Sequence, residues 1–115
     1  MHNYKNLQVW QLAMEQAEKI YLLSANFPAE EKFGLVSQIR RSAVSIVSNI
    51  AEGSGRGSDK DFVRFLNMAL GSAFEVETQL LLAVRLGYSS ANDTSIVDKT
   101  NQLQKMIHNL IKKLE

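Results

Sequence analysis

No cysteine occurs among the 115 residues, and proline occurs once, at Pro28. The first absence excludes a disulfide framework, a thiolate nucleophile and a cysteine zinc site, and it suits a reducing compartment. The second leaves long stretches in which nothing interrupts a helix. An excess of one charge is lacking too, since 13 basic and 12 acidic side chains give a net charge of +1. Indiscriminate phosphate binders draw affinity from many lysines and arginines acting together, so a nucleic-acid role here must rest on a local patch. No apolar run approaches the ~18 residues of a membrane span. The longest, Leu80 to Val84, stops at Arg85. His2 to Asn6 lack the apolar stretch of a signal peptide, so we expect a cytoplasmic protein with no membrane partner.

What is present is 45% hydrophobic residues. At this length a chain buries roughly 65% of its unfolded surface, enough for one core and too little for two lobes around a deep cleft. A single domain over 1–115 follows. Leu7, Trp10, Met14, Ala17, Tyr21 and Ala25 step by three and four, predicting a helix over 6–25 with these residues on one face. Asn26-Phe27-Pro28 ends it, because the residue before a proline avoids the α region. A second helix is predicted over 30–52, with Glu30 and Glu31 at its electropositive N-terminus. Its core stripe is Leu35, Ile39, Ala43, Ile46 and Ile50, within a sector of roughly eighty degrees.

Gly53-Ser54-Gly55-Arg56-Gly57-Ser58 reads as a flexible turn holding half of the six glycines. Ser58 is a plausible N-cap for a third helix over 59–86, with Asp59 and Asp61 in its first turn. Phe62, Leu66, Ala69, Ala73, Val76, Leu80 and Val84 form the centre of its apolar face. Phe65, Ala83, Val63, Leu70, Phe74 and Leu81 widen that face to roughly half the circumference, beyond the ~100° arc that one core contact needs. A second apolar contact is implied. Gly87 is placed just past the helix end, Tyr88 to Asn92 form a loop, and a fourth helix is predicted over 93–114, with Ile96, Leu103, Ile107, Leu110 and Leu114 inward. Four helices with short connections predict an all-α, antiparallel, up-down-up-down four-helix bundle.

Catalytic and metal chemistry find little support. The di-iron pattern of such bundles needs Glu-x-x-His pairs, and none occurs. His2 and His108 have no paired ligand at helical spacing, and no serine has a base with reason to approach it. The glycine-rich turn follows a helix rather than a strand and lacks Lys-Ser or Lys-Thr after its last glycine, so it is no phosphate loop. No cofactor and no enzymatic activity are expected. Two clusters remain. Gln38, Arg41, Ser45, Asn49 and Glu52 form a polar seam along the second helix, either a solvated face or a subunit interface in which these groups satisfy one another or a partner. Arg56, Lys60 and Arg64, with Arg40 one helix back, are the best basic stripe. They suit either a weak RNA or DNA contact or ion pairing with the interleaved Glu52, Asp59 and Asp61.

Several segments carry more than periodicity: Leu7-Gln8-Val9-Trp10-Gln11-Leu12-Ala13, Phe27-Pro28, Ser37 through Ile46, Ser48-Asn49-Ile50-Ala51-Glu52-Gly53-Ser54-Gly55-Arg56, Glu77-Thr78-Gln79-Leu80 and Leu86-Gly87-Tyr88. Together they resemble the bacterial four-helix-bundle family whose founding members are encoded in intervening sequences of 23S rRNA genes. The resemblance implies antiparallel bundles assembled as ring-shaped homopentamers, with no established enzymatic activity. Apart from the resemblance, an unidentified protein partner is a further option. Accessory proteins of diversity-generating retroelements are similar in fold and bind nucleic acid and a reverse transcriptase through a basic surface. The near-neutral charge of this chain departs from theirs.

Overall fold

A computed structural model describes residues 2–90 and 94–115. It contains four α-helices: α1 (Gln8–Ser24), α2 (Leu35–Ser54), α3 (Asp59–Arg85) and α4 (Ser95–Leu114). Single turns of 3-10 helix at Tyr4–Asn6 and Ala29–Glu31 precede α1 and α2. The predicted start of α4 at residue 93 and the end of the preceding loop lie outside the described residues. At ~1.5 Å per residue the 27 residues of α3 span ~40 Å, close to the 43 Å long axis of the molecule.

Cross-helix contacts fix the directions. Ser45 meets Ser72 while Glu31 meets Tyr88, so α2 and α3 run oppositely. Gln104 reaches Ala73 and Asn101 reaches Glu77, which sets α4 against α3. Gln16 bonds Thr100 and Ile96 while Val9 lies beside Met106 and Leu110, so α1 also opposes α4. Arg40, early in α2, holds Ser24 at the end of α1, and the His2 amide donates to Ser54 O at the end of α2. Each helix therefore packs against two antiparallel neighbours, and α1 and α3 stand diagonally across the core.

The core stripe of α2 lies where its spacing places it, with Ile39, Ala43, Ile46 and Ile50 fully enclosed. Phe62, Leu66, Ala69, Ala73, Val76 and Leu80 of α3 meet it. A smaller cluster of Phe27, Leu35, Val36 and Ala83 closes one end. Ser58 caps α3, its Oγ accepting the Asp61 amide at 3.1 Å. Gly87 takes φ +79°, and the amides of Gly87 and Tyr88 donate to Val84 O and Ala83 O. That αL exit satisfies the last carbonyls of α3 and turns Tyr88 onto Phe27.

Three local expectations are corrected. The buried face of α1 is Val9, Ala13, Gln16, Ile20 and Ser24, while Met14, Tyr21 and Ala25 of the predicted stripe are exposed. Two polar residues in the true stripe hide it from a count of apolar letters; Gln16 is buried because its amide donates to Thr100 Oγ1 and Ile96 O. The second helix begins at Leu35 rather than 30, because the chain after Pro28 makes a 3-10 turn whose Glu31 carboxylate accepts the Leu35 amide at 3.0 Å. The same helix runs on through Gly53 and Ser54, both buried, where a flexible turn is expected. A Cβ on Gly53 would lie 2.6 Å from Phe65 Cβ, so the bare backbone at this position lets α2 and α3 close up.

Candidate functional site

The polar seam of α2 divides. Ser45 Oγ and Ser72 Oγ bond at 2.9 Å across the α2–α3 junction, and Asn49 Nδ2 donates to Ser45 O and Oγ at 2.9 and 3.1 Å. These short side chains join two helices of one chain and satisfy each other there. Gln38, Arg41 and Glu52 are exposed, and Glu52 accepts from Arg56 Nη2 at 2.9 Å. Among the described residues, no three His, Asp or Glu side chains converge as metal ligands would.

The basic stripe divides as well. Arg56 and Arg64 each set a guanidinium carbon 4.7 Å from the Phe65 ring centroid, one from the turn and one from α3. Stacking on the ring orients both cations, while Glu52 and Asp61, the latter 3.7 Å from Arg64, offset their charge. Lys60 is exposed one turn ahead of Arg64. Arg40 stands apart. It stacks over Tyr21 at 4.6 Å and donates to Ser24 Oγ and Tyr21 O, near the opposite end of α2. Its role there is to tie α1 to α2. The N-terminal residues approach the stripe from the other side, with His2 3.5 Å from Asp59 and its ring against Phe62.

The exposed apolar residues were legible only in part. Phe74 and Leu81 lie on the predicted second apolar contact of α3, and Phe74 is 52% exposed. With Leu70 it floors a groove of about 350 Å³ whose α4 wall is Gln104, Lys105, His108 and Asn109. Met68 and Leu82 extend the apolar surface of α3 along its outer face, and α1 presents Met14, Tyr21 and Leu22. Phe33 is 89% exposed, with the Lys32 ammonium 5.5 Å from its ring centroid.

Two sites have shifted pKa values. The Leu35 amide, and then the Tyr88 hydroxyl at 2.8 Å, hold the Glu31 carboxyl below its ordinary value. The same bond raises Tyr88. Lys19 on α1 meets Lys99 on α4, and this hydrogen bond, followed by desolvation, lowers the Lys19 pKa.

With four antiparallel helices and the Asn49-to-Gly53 segment at the α2–α3 junction in place, comparison with known proteins becomes decisive. Residues 5–109 match the 23S rRNA-intervening sequence protein family. The chain belongs to that family. A crystal structure of a protein with unknown function from the S23 ribosomal protein family of Bacteroides thetaiotaomicron is 34% identical, with a TM-score of 0.83, and the match covers 90% of this chain and 95% of that one. No curated protein matches. Within this intervening-sequence protein the family segment gains a physical reason: Asn49 bonds Ser45, Ile50 is buried in the core, Glu52 holds Arg56 and Gly53 admits Phe65. Sequence reasoning missed Phe65 as the platform for the arginines. Its signal was an aromatic directly after Arg64 and nine residues on from Arg56.

Proposed function

We propose that this intervening-sequence protein is a noncatalytic, self-assembling scaffold, with the homopentamer as its favoured form. One observation carries the reading. The outer surface of α3 leaves Met68, Phe74, Leu81 and Leu82 exposed after the core is complete. Of these, Phe74 and Leu81 share one edge of the helix with Leu70, and an apolar strip on a small domain marks a contact with another macromolecule. The seam supports the noncatalytic part, because Ser45, Ser72 and Asn49 spend their hydrogen bonds on one another and Glu52 spends its own on Arg56. A nucleophile is activated by a hydrogen bond to a base, whereas the side-chain partners of Ser45 are Ser72 and Asn49, neither of which acts as a general base. Multi-angle light scattering at micromolar concentration tests the assembly. A mass that is a multiple of the 12.9 kDa chain is expected, five-fold for the pentamer. A monomer mass at every concentration would end the proposal.

A second reading concerns RNA or DNA, favoured by the Phe65-stacked Arg56 and Arg64 with Lys60 beside them. One copy of this stripe is sparse and partly neutralised, so binding would be weak and salt-sensitive, gaining from several copies engaged together. Fluorescence anisotropy with a structured RNA and a duplex DNA, at low and physiological salt, tests it. Binding at low salt that Arg56→Ala/Lys60→Ala/Arg64→Ala removes is the expected result. Binding indifferent to that substitution, or none at low salt, refutes it.

A further inference from the structure

Two lysines meet across the seam between α1 and α4. Lys19 of α1 and Lys99 of α4 are each half-buried, and with Glu15, Glu18 and Leu22 they line an open cavity of about 370 Å³. Glu15, Lys19 and Leu22 step by four and three, so one face of α1 carries both signs of charge beside an apolar side chain. Lys19 and Leu22 also wall a second cavity of about 340 Å³, together with Asn26 and Ile96. The ion pairs among the described residues are those of His2, Arg56 and Arg64, so neither lysine is held by a carboxylate. The partner of Lys19 is Lys99. An ammonium has three donors and no acceptor, and a hydrogen bond between two lysines therefore needs one of them as the neutral amine, its lone pair accepting. Lys19 is that one. The bond to Lys99, then desolvation, then the Lys99 charge hold its pKa below the ordinary lysine value, with Glu15 opposing them.

We propose that the Lys19 amine is a nucleophilic modification site that takes the acyl group of a small acyl phosphate. A lysine beside a second cation is activated, because a larger share of it is the free amine near neutral pH. The same second cation selects the reagent. Lys99 sets a positive charge in the cavity, where it attracts the phosphate, and Leu22, 68% exposed, offers apolar surface to the acyl chain. The long, flexible stem of Lys99 lets its bond to Lys19 open as the reagent enters. The Lys19 nitrogen then bonds to the carbonyl carbon, the bond from that carbon to the bridging oxygen breaks, phosphate leaves with the electron pair, and the surplus proton of the amine passes to water. The product is an uncharged amide, so acylation removes a titrating cation from the α1–α4 seam. Accessibility alone gives the opposite order of reactivity, since Lys5, Lys60, Lys105 and Lys112 are all more exposed than Lys19.

The test incubates the full chain with acetyl phosphate at neutral pH and follows the acetylation of each lysine over time by peptide mass spectrometry. Lys19 is expected to react about threefold faster or more than Lys5, Lys60, Lys105 and Lys112, because a lowered pKa raises its share of free amine. Its rate should also reach half of its plateau at a lower pH than theirs. Lys99→Gln removes the second cation and should bring Lys19 down to the rate of the exposed lysines, whereas Lys99→Arg keeps a cation and keeps the faster rate. Glu15→Gln removes the opposing carboxylate and should speed Lys19 further. Circular dichroism checks each fold, and should Lys99→Gln fail to fold, Glu15→Gln decides in its place. A Lys19 no faster than the four exposed lysines overturns the proposal. So does a fast Lys19 that ignores Lys99→Gln, or, where that variant does not fold, one that ignores Glu15→Gln.

Discussion

Replacing Gly53 by alanine adds one methyl group where the side chains of α3 lie directly against the α2 backbone. The new Cβ would stand 2.6 Å from Phe65 Cβ, 3.0 Å from Phe62 Cδ1 and 3.3 Å from Phe65 Cγ. Carbon atoms rest comfortably at about 3.5–4.0 Å, so the nearest contact falls short by roughly 1 Å. Phe65 Cβ is bonded directly to the α3 backbone and cannot swing aside. The helices must part, loosening Phe62 and Phe65, which are 1% and 5% exposed. Overpacking of this kind costs typically 1–3 kcal/mol, and the upper part of that range applies where backbone has to move. Alanine returns about 1 kcal/mol through its better helix propensity. The net expectation is a loss of about 2 kcal/mol, or a fall in melting temperature of about 8 °C. Urea unfolding followed by circular dichroism measures it, with Gly55→Ala as the control. At Gly55 φ is −86° and an added Cβ meets Glu52 O at 3.6 Å, an ordinary contact, so that substitution should be neutral or slightly stabilising. A Gly53→Ala protein at least as stable as wild type would refute the close-packing argument.

Four further outcomes follow from local structure. Glu31 has a folded pKa below its unfolded value, so its stabilisation is present above the unfolded pKa and lost as pH falls through the folded one; Glu31→Gln should flatten the acid limb of a stability profile below the ordinary carboxylate pKa. Tyr88 has the opposite sign, its raised folded pKa making its bond fully present below about pH 10 and lost above, which Tyr88→Phe should abolish in the alkaline limb. Ser58→Ala removes the acceptor of the Asp61 amide and should cost about 1 kcal/mol in urea titration, an unchanged midpoint counting against the cap. Gln16→Met removes a buried carbonyl oxygen that has no partner among the described residues, while Thr100 keeps its bond to Ile96 O. Stability should hold or rise by about 1 kcal/mol, and a fall beyond that would show the amide to be a needed strut.

Periodicity and punctuation determined the architecture before any packing was known. A helix turns about 100° per residue wherever it forms, so the stripe from Leu35 to Ile50 could point only one way, and it is buried. Ser58 and Gly87 act through their own backbone and nearest neighbours, so their capping roles were legible as well. The over-wide apolar face of α3 likewise announced surface beyond the core's needs, and Phe74 and Leu81 are exposed there. What lay beyond local reach depended on which neighbour arrived. Helix α1 carries apolar letters on two stripes, and only the docking of α2 and α4, with Thr100 placed to receive Gln16, decided which one is inside. Arg40 and Arg56 are alike in sequence, yet one ties α1 to α2 and the other stacks on Phe65, because tertiary contacts assign their partners. Gly53 reads as a hinge by residue type and is a packing contact by position. Residue type sets what a backbone can do, and the approach of Phe65 from another helix decided what this one does.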